Sequence, residues 1–237
     1  MFFNIFINDL FCHVKYAKLN AYADDHQIYS YYLGPHALED CICQEVNVAN
    51  QWYKNNGMIV NETKQQALIL GKTDQNFPVN SSIDILGMTI DNKLSFDNHI
   101  SVICKKINNQ FNVMLRFWKL IDKETLLKLY KAFILPHFYY CSSVWHFCGG
   151  RNTNKVDNLN KRILKLILQD YSSPYDILLS KVNLKSLFIR RLQNLMITLY
   201  KSLFVANYPG YLKDMFAERS SSYNLRGNHV LALPNLR

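Results

Sequence analysis

The chain of 237 residues has no internal repeat and no low-complexity tract, which excludes solenoids, propellers and unstructured arrays. Its cysteines, Cys12, Cys41, Cys43, Cys104, Cys141 and Cys148, form no repeating pair. Cys41-Ile42-Cys43 has no downstream Cys/His pair at zinc-ribbon or zinc-finger spacing, and Cys141, His146 and Cys148 do not match a zinc knuckle. The thiols are expected to be buried and reduced, which suits an intracellular protein of the cytoplasm or nucleus. The start, Met1-Phe2-Phe3-Asn4-Ile5, is apolar but lacks a basic flank and soon meets Asn8-Asp9, so a signal peptide is not expected. The uncharged run from Ala132 to Gly150 contains Pro136, His137, Ser142, Ser143 and His146. It reads as a buried, aromatic-rich core segment and not as a membrane span, so no membrane partner is expected.

A hydrophobic content of 49% allows a sizeable core and either one large or two small domains. The net charge of +9 conceals an asymmetry about Asp97. Residues 1–97 carry 6 basic against 11 acidic groups, a net of −5, and the remainder carries 21 against 7, a net of +14. An acidic half joined to a basic half suits a protein that grips a polyanion and does chemistry on it. The alternative is that the basic groups only solvate helix faces.

Tyr22-Ala23-Asp24-Asp25 lies between the β-prone runs Leu19-Asn20-Ala21 and Ile28-Tyr29-Ser30-Tyr31-Tyr32, a pattern that predicts strand, Asp-Asp turn, strand. Side chains alternate along a strand, so at most one of the two carboxylates points squarely at a site on one face. A carboxylate on a rigid hairpin tip is a good oxygen ligand for Mg²⁺, which shares its shell with substrate phosphates. Taken alone, an Asp-Asp turn is also what a solvated surface loop contains.

Around that hairpin, Phe2, Ile5, Phe6 and Leu10 fall near helical spacing and predict a helix over Met1 to Phe11. After Gly34-Pro35, His36 to Asn56 is an amphipathic helix stopped by Asn55-Asn56-Gly57. Strands are expected over Gln66 to Leu70 and over Ile83 to Ile90. Beyond Asp97 the pattern becomes helix after helix. One apolar stripe runs from Ile100 to Trp118, and Asp122 can cap the next helix, which continues to Pro136. Further helices are expected from Thr153 to Leu168, after Ser173-Pro174, and from Leu184 to Val205, with a polar irregular tail from Arg219 to Arg237. The architecture is therefore α+β over residues 1–97 followed by a basic helical region over 98–237.

The motif order resembles the C-terminal half of a reverse transcriptase of a non-LTR retrotransposon, of the LINE or jockey type. The matching pieces are Phe3 to Leu10, Tyr22-Ala23-Asp24-Asp25, Asn61-Glu62-Thr63-Lys64, Leu86-Gly87-Met88-Thr89-Ile90-Asp91, and Leu129 to Pro136 with Tyr140 and Trp145 beyond. The resemblance covers nearly the whole chain. It implies a partial right-hand polymerase palm, made of the Tyr-Ala-Asp-Asp hairpin, a helix and a small antiparallel sheet, followed by an all-helical thumb-like region. It implies RNA-directed DNA polymerase chemistry, with Asp24 a ligand of catalytic Mg²⁺ (or Mn²⁺) and Asp25 close by in a lesser role. Lys64 matches a lysine that assists the pyrophosphate leaving group, and Leu86-Gly87-Met88 matches a turn that supports the primer end. The implied partners are an RNA template, a DNA primer and deoxynucleoside triphosphates, with Lys105, Lys106, Arg116, Lys119, Lys161 and Arg162 along the template–primer backbone. Charge stabilisation at a transferring phosphoryl group needs this combination of rigid carboxylates, metal and a nearby cation.

The chain departs from the family in two ways. His26 stands where the family usually has threonine, and the upstream strand with a further metal-binding aspartate, the nucleotide-contacting motif and the fingers are not found before Tyr22. Two-metal catalysis needs carboxylates from separate strands, so the chain alone is expected not to polymerise. A truncated reading frame or decayed copy, with Met1 an internal methionine, is expected, as is an unpaired palm edge open to another chain. The competing reading is a non-catalytic remnant that binds RNA or RNA–DNA hybrid through its basic half. A helical interaction scaffold, the third reading, fits the acidic first half poorly.

Overall fold

Asn8-Asp9 interrupts the first apolar helix, so the computed structural model begins with two short pieces, α1 (Phe2–Ile7) and α2 (Leu10–His13), where one was expected. Asp9 stands at the N-cap position of the second piece, and its carboxylate accepts the Trp52 Nε1–H at 3.1 Å instead of capping the helix. The structure describes residues 2–31, 35–71, 79–205, 207–214 and 216. The turn at Gly34 and the tail from Arg219 lie outside them. The chain divides into two units, Met1–His99 and Ile100–Arg237, and the division falls in the first turn of α4 (Asp97–Arg116).

In the first unit, Ile7, Leu10 and Val14 pack against Ala49 and Trp52 of α3 (Pro35–Asn55), with Leu19, Ile28, Tyr53 and Met58 around them. α3 contributes Ala49 and Trp52 to this core, with Tyr53 packed against it, as its three- and four-residue spacing demands. Gly57, at φ +71°, ends the helix in the left-handed conformation that glycine adopts without strain. Two antiparallel hairpins complete the unit: β1 (Lys18–Tyr22) with β2 (Asp25–Tyr29), and β3 (Ser82–Ile85) with β4 (Met88–Asp91). Among the described residues they form two separate two-stranded antiparallel sheets.

Two strand expectations are corrected. The run Ile83 to Ile90 is not one strand, because Leu86 and Gly87 both take positive φ (49° and 78°) and fold it into a two-residue hairpin. Gln66 to Leu70 is not a ladder strand. It is held by one backbone bond, Asn80 N–H to the Ala67 carbonyl at 2.8 Å, and by side chains: Asn80 Oδ1 accepts the Ala67 N–H at 3.0 Å, and Gln66 Oε1 accepts the Asp84 N–H at 2.9 Å. After β4, the Asp91 carboxylate accepts the backbone N–H groups of Lys93, Ser95 and Phe96 at 3.1, 2.9 and 2.7 Å, which holds the loop leading into α4.

The second unit is helical. Its helices are α4, α5 (Lys123–Leu129), α6 (Ser142–Trp145), α7 (Gly150–Leu168), α8 (Tyr175–Lys181), α9 (Leu187–Phe204) and α10 (Gly210–Lys213). Ile100, Ile103, Ile107, Phe111 and Met114 of α4 are buried, and so are Val156, Leu159, Ile163, Leu164 and Ile167 of α7. The helix expected to reach Pro136 instead passes from α5 into a π turn (Tyr130–Ile134) and a 3₁₀ turn (Leu135–Phe138). Pro136 lacks the N–H that an α-helix would need there. Pro174 stands at the N-cap of α8 and not at its first helical position.

The run from Ala132 to Gly150 is only partly core. Phe138, Trp145, His146 and Cys148 are buried, while Phe133, Tyr140, Val144 and Phe147 are exposed. All six cysteines are free, and only Cys104 and Cys148 are buried. Arg191 of α9 is buried with its guanidinium 4.8 Å from the Trp145 ring centroid. Among the described residues, no helix is long and apolar enough to cross a membrane.

Candidate metal-binding hairpin and basic helical face

The register Tyr22↔Asp25 leaves a two-residue turn, Ala23-Asp24, between β1 and β2. The turn is therefore Ala-Asp and not Asp-Asp. Asp24 stands at the tip, Asp25 opens β2, and both are exposed. Ala23 takes φ 52°, the left-handed region that L-residues other than glycine enter at a cost of roughly 1–2 kcal/mol. Hairpin turns put glycine, asparagine or aspartate at such positions. Local strain of this kind persists where the surrounding structure over-determines it.

Behind the tip, His26 ties the hairpin to α3. Its ring stacks on Tyr53 with centroids 5.6 Å apart and planes 3° from parallel, and Nδ1 hydrogen-bonds the Tyr53 hydroxyl. Burial lowers the His26 pKa, against the opposing influence of the Ala23 carbonyl and the Asp24 and Asp25 charges. Burial likewise raises the Tyr53 phenol. The His26 imidazole and the Tyr53 phenol thus brace β2 against α3, one residue beyond Asp25. His26 acts as a packing residue between the hairpin and α3.

Glu45 is a second brace. Nearly inaccessible on α3, its carboxylate accepts the N–H of Lys15 at 2.9 Å and of Tyr16 at 3.2 Å, which fixes the chain as it enters β1. Sequence reading missed it because a glutamate on an amphipathic helix normally faces water. Its place in the i, i+4, i+7 row with Ala49 and Trp52 is the signal that could have found it.

Lys64 closes a one-turn 3₁₀ helix (Glu62–Lys64), and its side chain is exposed. Asn61 Oδ1 accepts the Thr63 N–H at 3.1 Å and the Thr63 hydroxyl at 2.6 Å, so the Asn61-x-x-Lys64 spacing is that of a side-chain-capped turn. Leu86 and Gly87 form the tip of the second hairpin, and Met88 is buried at the start of β4. The three sets of residues are thus presented by three tight turns of one unit.

Asp24 and Asp25 suit a single Mg²⁺ that takes one or two protein carboxylates and fills its shell with water and substrate phosphates. They do not suit a two-ion centre by themselves. Among the described residues no group of three or more His, Cys, Asp or Glu side chains converges on a metal position.

In the helical unit, two bonds join α4 to α7. Lys155 Nζ donates to Ser101 Oγ at 2.9 Å, and Arg162 Nη2 donates to Asn108 Oδ1. Both partners advance by seven residues, so the two helices run parallel along this seam. Lys105 stands one turn from Ser101 on the same face of α4, and Arg116 lies further along that face. Lys106 and Lys161 fall on other faces, and Lys119 lies beyond the end of α4. The six cations named from the sequence are therefore not one surface, and Lys155, which the sequence reading passed over, belongs to the seam.

No family model, no curated protein and no solved structure matches this chain.

Proposed function

We propose that the chain is a fragment of a non-LTR-type reverse transcriptase, containing the Asp24 hairpin of the palm and the start of a thumb-like helical region. The observation that carries this reading is the position of Asp24 at the exposed tip of a two-residue hairpin turn, beside Asp25 and after a strained Ala23. The motif order supports it, since Asn61-x-x-Lys64 and Leu86-Gly87-Met88 also fall on tight turns that can present groups to a substrate. When bound, Mg²⁺ would supply charge stabilisation for nucleotidyl transfer. Asp24 would orient that ion, Asp25 would add negative charge beside it, and Lys64 would stand near the departing phosphates.

A single hairpin offers half of a two-ion centre, so the chain by itself does not polymerise. Purified protein given a primed RNA template, deoxynucleoside triphosphates and Mg²⁺ is expected to add no template-dependent nucleotide. Synthesis that disappears in Asp24→Asn would contradict the half-site.

The alternative of a non-catalytic RNA or RNA–DNA-binding remnant is favoured by a different observation, the +14 net charge of residues 98–237. The two readings share the nucleic-acid partner and differ only in whether the hairpin binds metal.

A further inference from the structure

Arg191 stands in the buried row of α9 with Leu187 and Ser202, fully inside the helical unit. Its guanidinium lies 4.8 Å from the Trp145 ring centroid, yet among the described residues no protein acceptor meets Nε, Nη1 or Nη2. A cation taken out of water without hydrogen bonds in return is costly, and one aromatic face offsets only part of that cost. The fork of donors suits an acceptor that the fold itself does not supply.

Other unpartnered atoms surround the fork. Asp157 Oδ1 of α7 and both ring nitrogens of the buried His146 also lack hydrogen-bond partners, and both residues are in electrostatic contact with Arg191. No ion pair joins Asp157 to Arg191. Arg190, the adjacent cation, is engaged by the Tyr139 ring at 5.0 Å, so the cluster offers one fully buried positive charge. That charge matches a single negative one. The paired N–H groups of a guanidinium fit the two oxygens of a carboxylate, whereas the second charge of a phosphate would meet Asp157 and no further cation. The lining is otherwise aromatic: Trp145 lies against the guanidinium, and the exposed Phe147 and Phe188 rings flank His146 at 4.8 and 4.9 Å and lead to the surface. The segment that carries Trp145 and His146 is also irregular. It contains the π turn over Tyr130–Ile134 and Cys141 at φ 47°, departures of the kind that accompany binding sites.

We propose that Arg191, lying on Trp145 between Asp157 and His146, forms the floor of an internal binding site for a small monocarboxylate of formate or acetate size. The carboxylate would take the guanidinium fork and place its carbon end against the aromatic rings. The site does not rest on the polymerase reading and shares no residue with the Asp24 hairpin, so either can fail alone.

The test follows thermal unfolding of the full chain by circular dichroism while sodium formate or sodium acetate replaces sodium chloride at constant ionic strength. A ligand that binds only the folded state raises Tm, and a saturable rise of about 3 °C or more is expected. Arg191→Lys keeps the charge and loses the fork, and is expected to abolish the saturable rise. Asp157→Asn leaves Arg191 in place and removes the neighbouring negative charge, so it is expected to lower the half-saturating concentration at least about threefold, a readout that stands even if Arg191→Lys does not fold. Lys201→Gln, an exposed cation on the same helix, is expected to leave the curve unchanged. No saturable rise in the parent chain, the same rise in Arg191→Lys, a half-saturating concentration unmoved in Asp157→Asn, or saturation by inorganic phosphate at lower concentration than by formate would each overturn the proposal.

Discussion

The buried carboxylate of Glu45 receives the backbone N–H of Lys15 at 2.9 Å, and through this bond α3 sets the position from which β1 starts. Replacing Glu45 with alanine leaves the Lys15 and Tyr16 amides without that partner. A loss of about 1.5–3 kcal/mol is expected, because hydrogen bonds to a charged group are worth that much when buried. Urea unfolding followed by circular dichroism checks it. A shift under about 0.5 kcal/mol, the range of ordinary surface substitutions, would show that the two amides find other partners.

Ala23 carries the strain of the turn. Ala23→Gly relieves a positive φ and costs unfolded-chain entropy, and the first effect exceeds the second at a left-handed position. A gain of about 0.5–1 kcal/mol is expected from the same urea measurement. A loss would mean that the tip conformation is held for another reason than hairpin closure.

His26 reports on the two carboxylates. Burial holds its folded-state pKa below the ordinary 6.5, so the unfolded chain binds more protons over the interval between the two values. Stability contributed by His26 is therefore present above pH 6.5 and is lost as pH falls through the interval toward the folded value. Asp24 and Asp25 oppose the shift, so Asp24→Asn is expected to lower the His26 pKa further. Titration of the imidazole resonances by NMR checks both statements. A His26 pKa above 6.5 in the folded protein would contradict the packing of His26 on Tyr53.

Asp91 and Asp170 act at lower pH and in the same sense. Lys181, followed by Ser173, holds the Asp170 carboxyl well below the usual carboxylate range. Partial burial alone would raise Asp91, but the amides of Ser95, Phe96 and Lys93 outweigh it and set it low. A depressed folded pKa gives stability that is present above the unfolded value of 3.8 and lost as pH falls through the folded one. Acid unfolding of Asp91→Asn and Asp170→Asn is therefore expected to depend less steeply on pH than that of the parent. An unchanged slope would show that neither carboxylate gains its partners on folding.

Much of this architecture is legible in the sequence where a single local rule decides. The stripes of α3, α4 and α7 follow helical spacing, and Leu19-Asn20-Ala21 and Ile28-Tyr29, on either side of Tyr22 to Asp25, become paired strands. The rest depends on contacts distant in sequence or on residues outside their usual roles. Leu86 at positive φ is not a residue from which a turn is read, so the second hairpin looked like one strand. Gln66 and Asn80 satisfy backbone groups with side chains, so an apparently strand-like segment stays out of the ladder. The seam required two contacts, each spanning 54 residues, before the cations of α4 and α7 could be sorted by face.

The most direct test of the metal-site reading is paramagnetic. Mn²⁺ titrated into isotope-labelled protein is expected to broaden the amide signals of Tyr22 through His26 first, more strongly with a deoxynucleoside triphosphate present, and Asp24→Asn is expected to abolish the effect. Broadening centred elsewhere in the chain, or unchanged in Asp24→Asn, would contradict the assignment of Asp24 as a metal ligand.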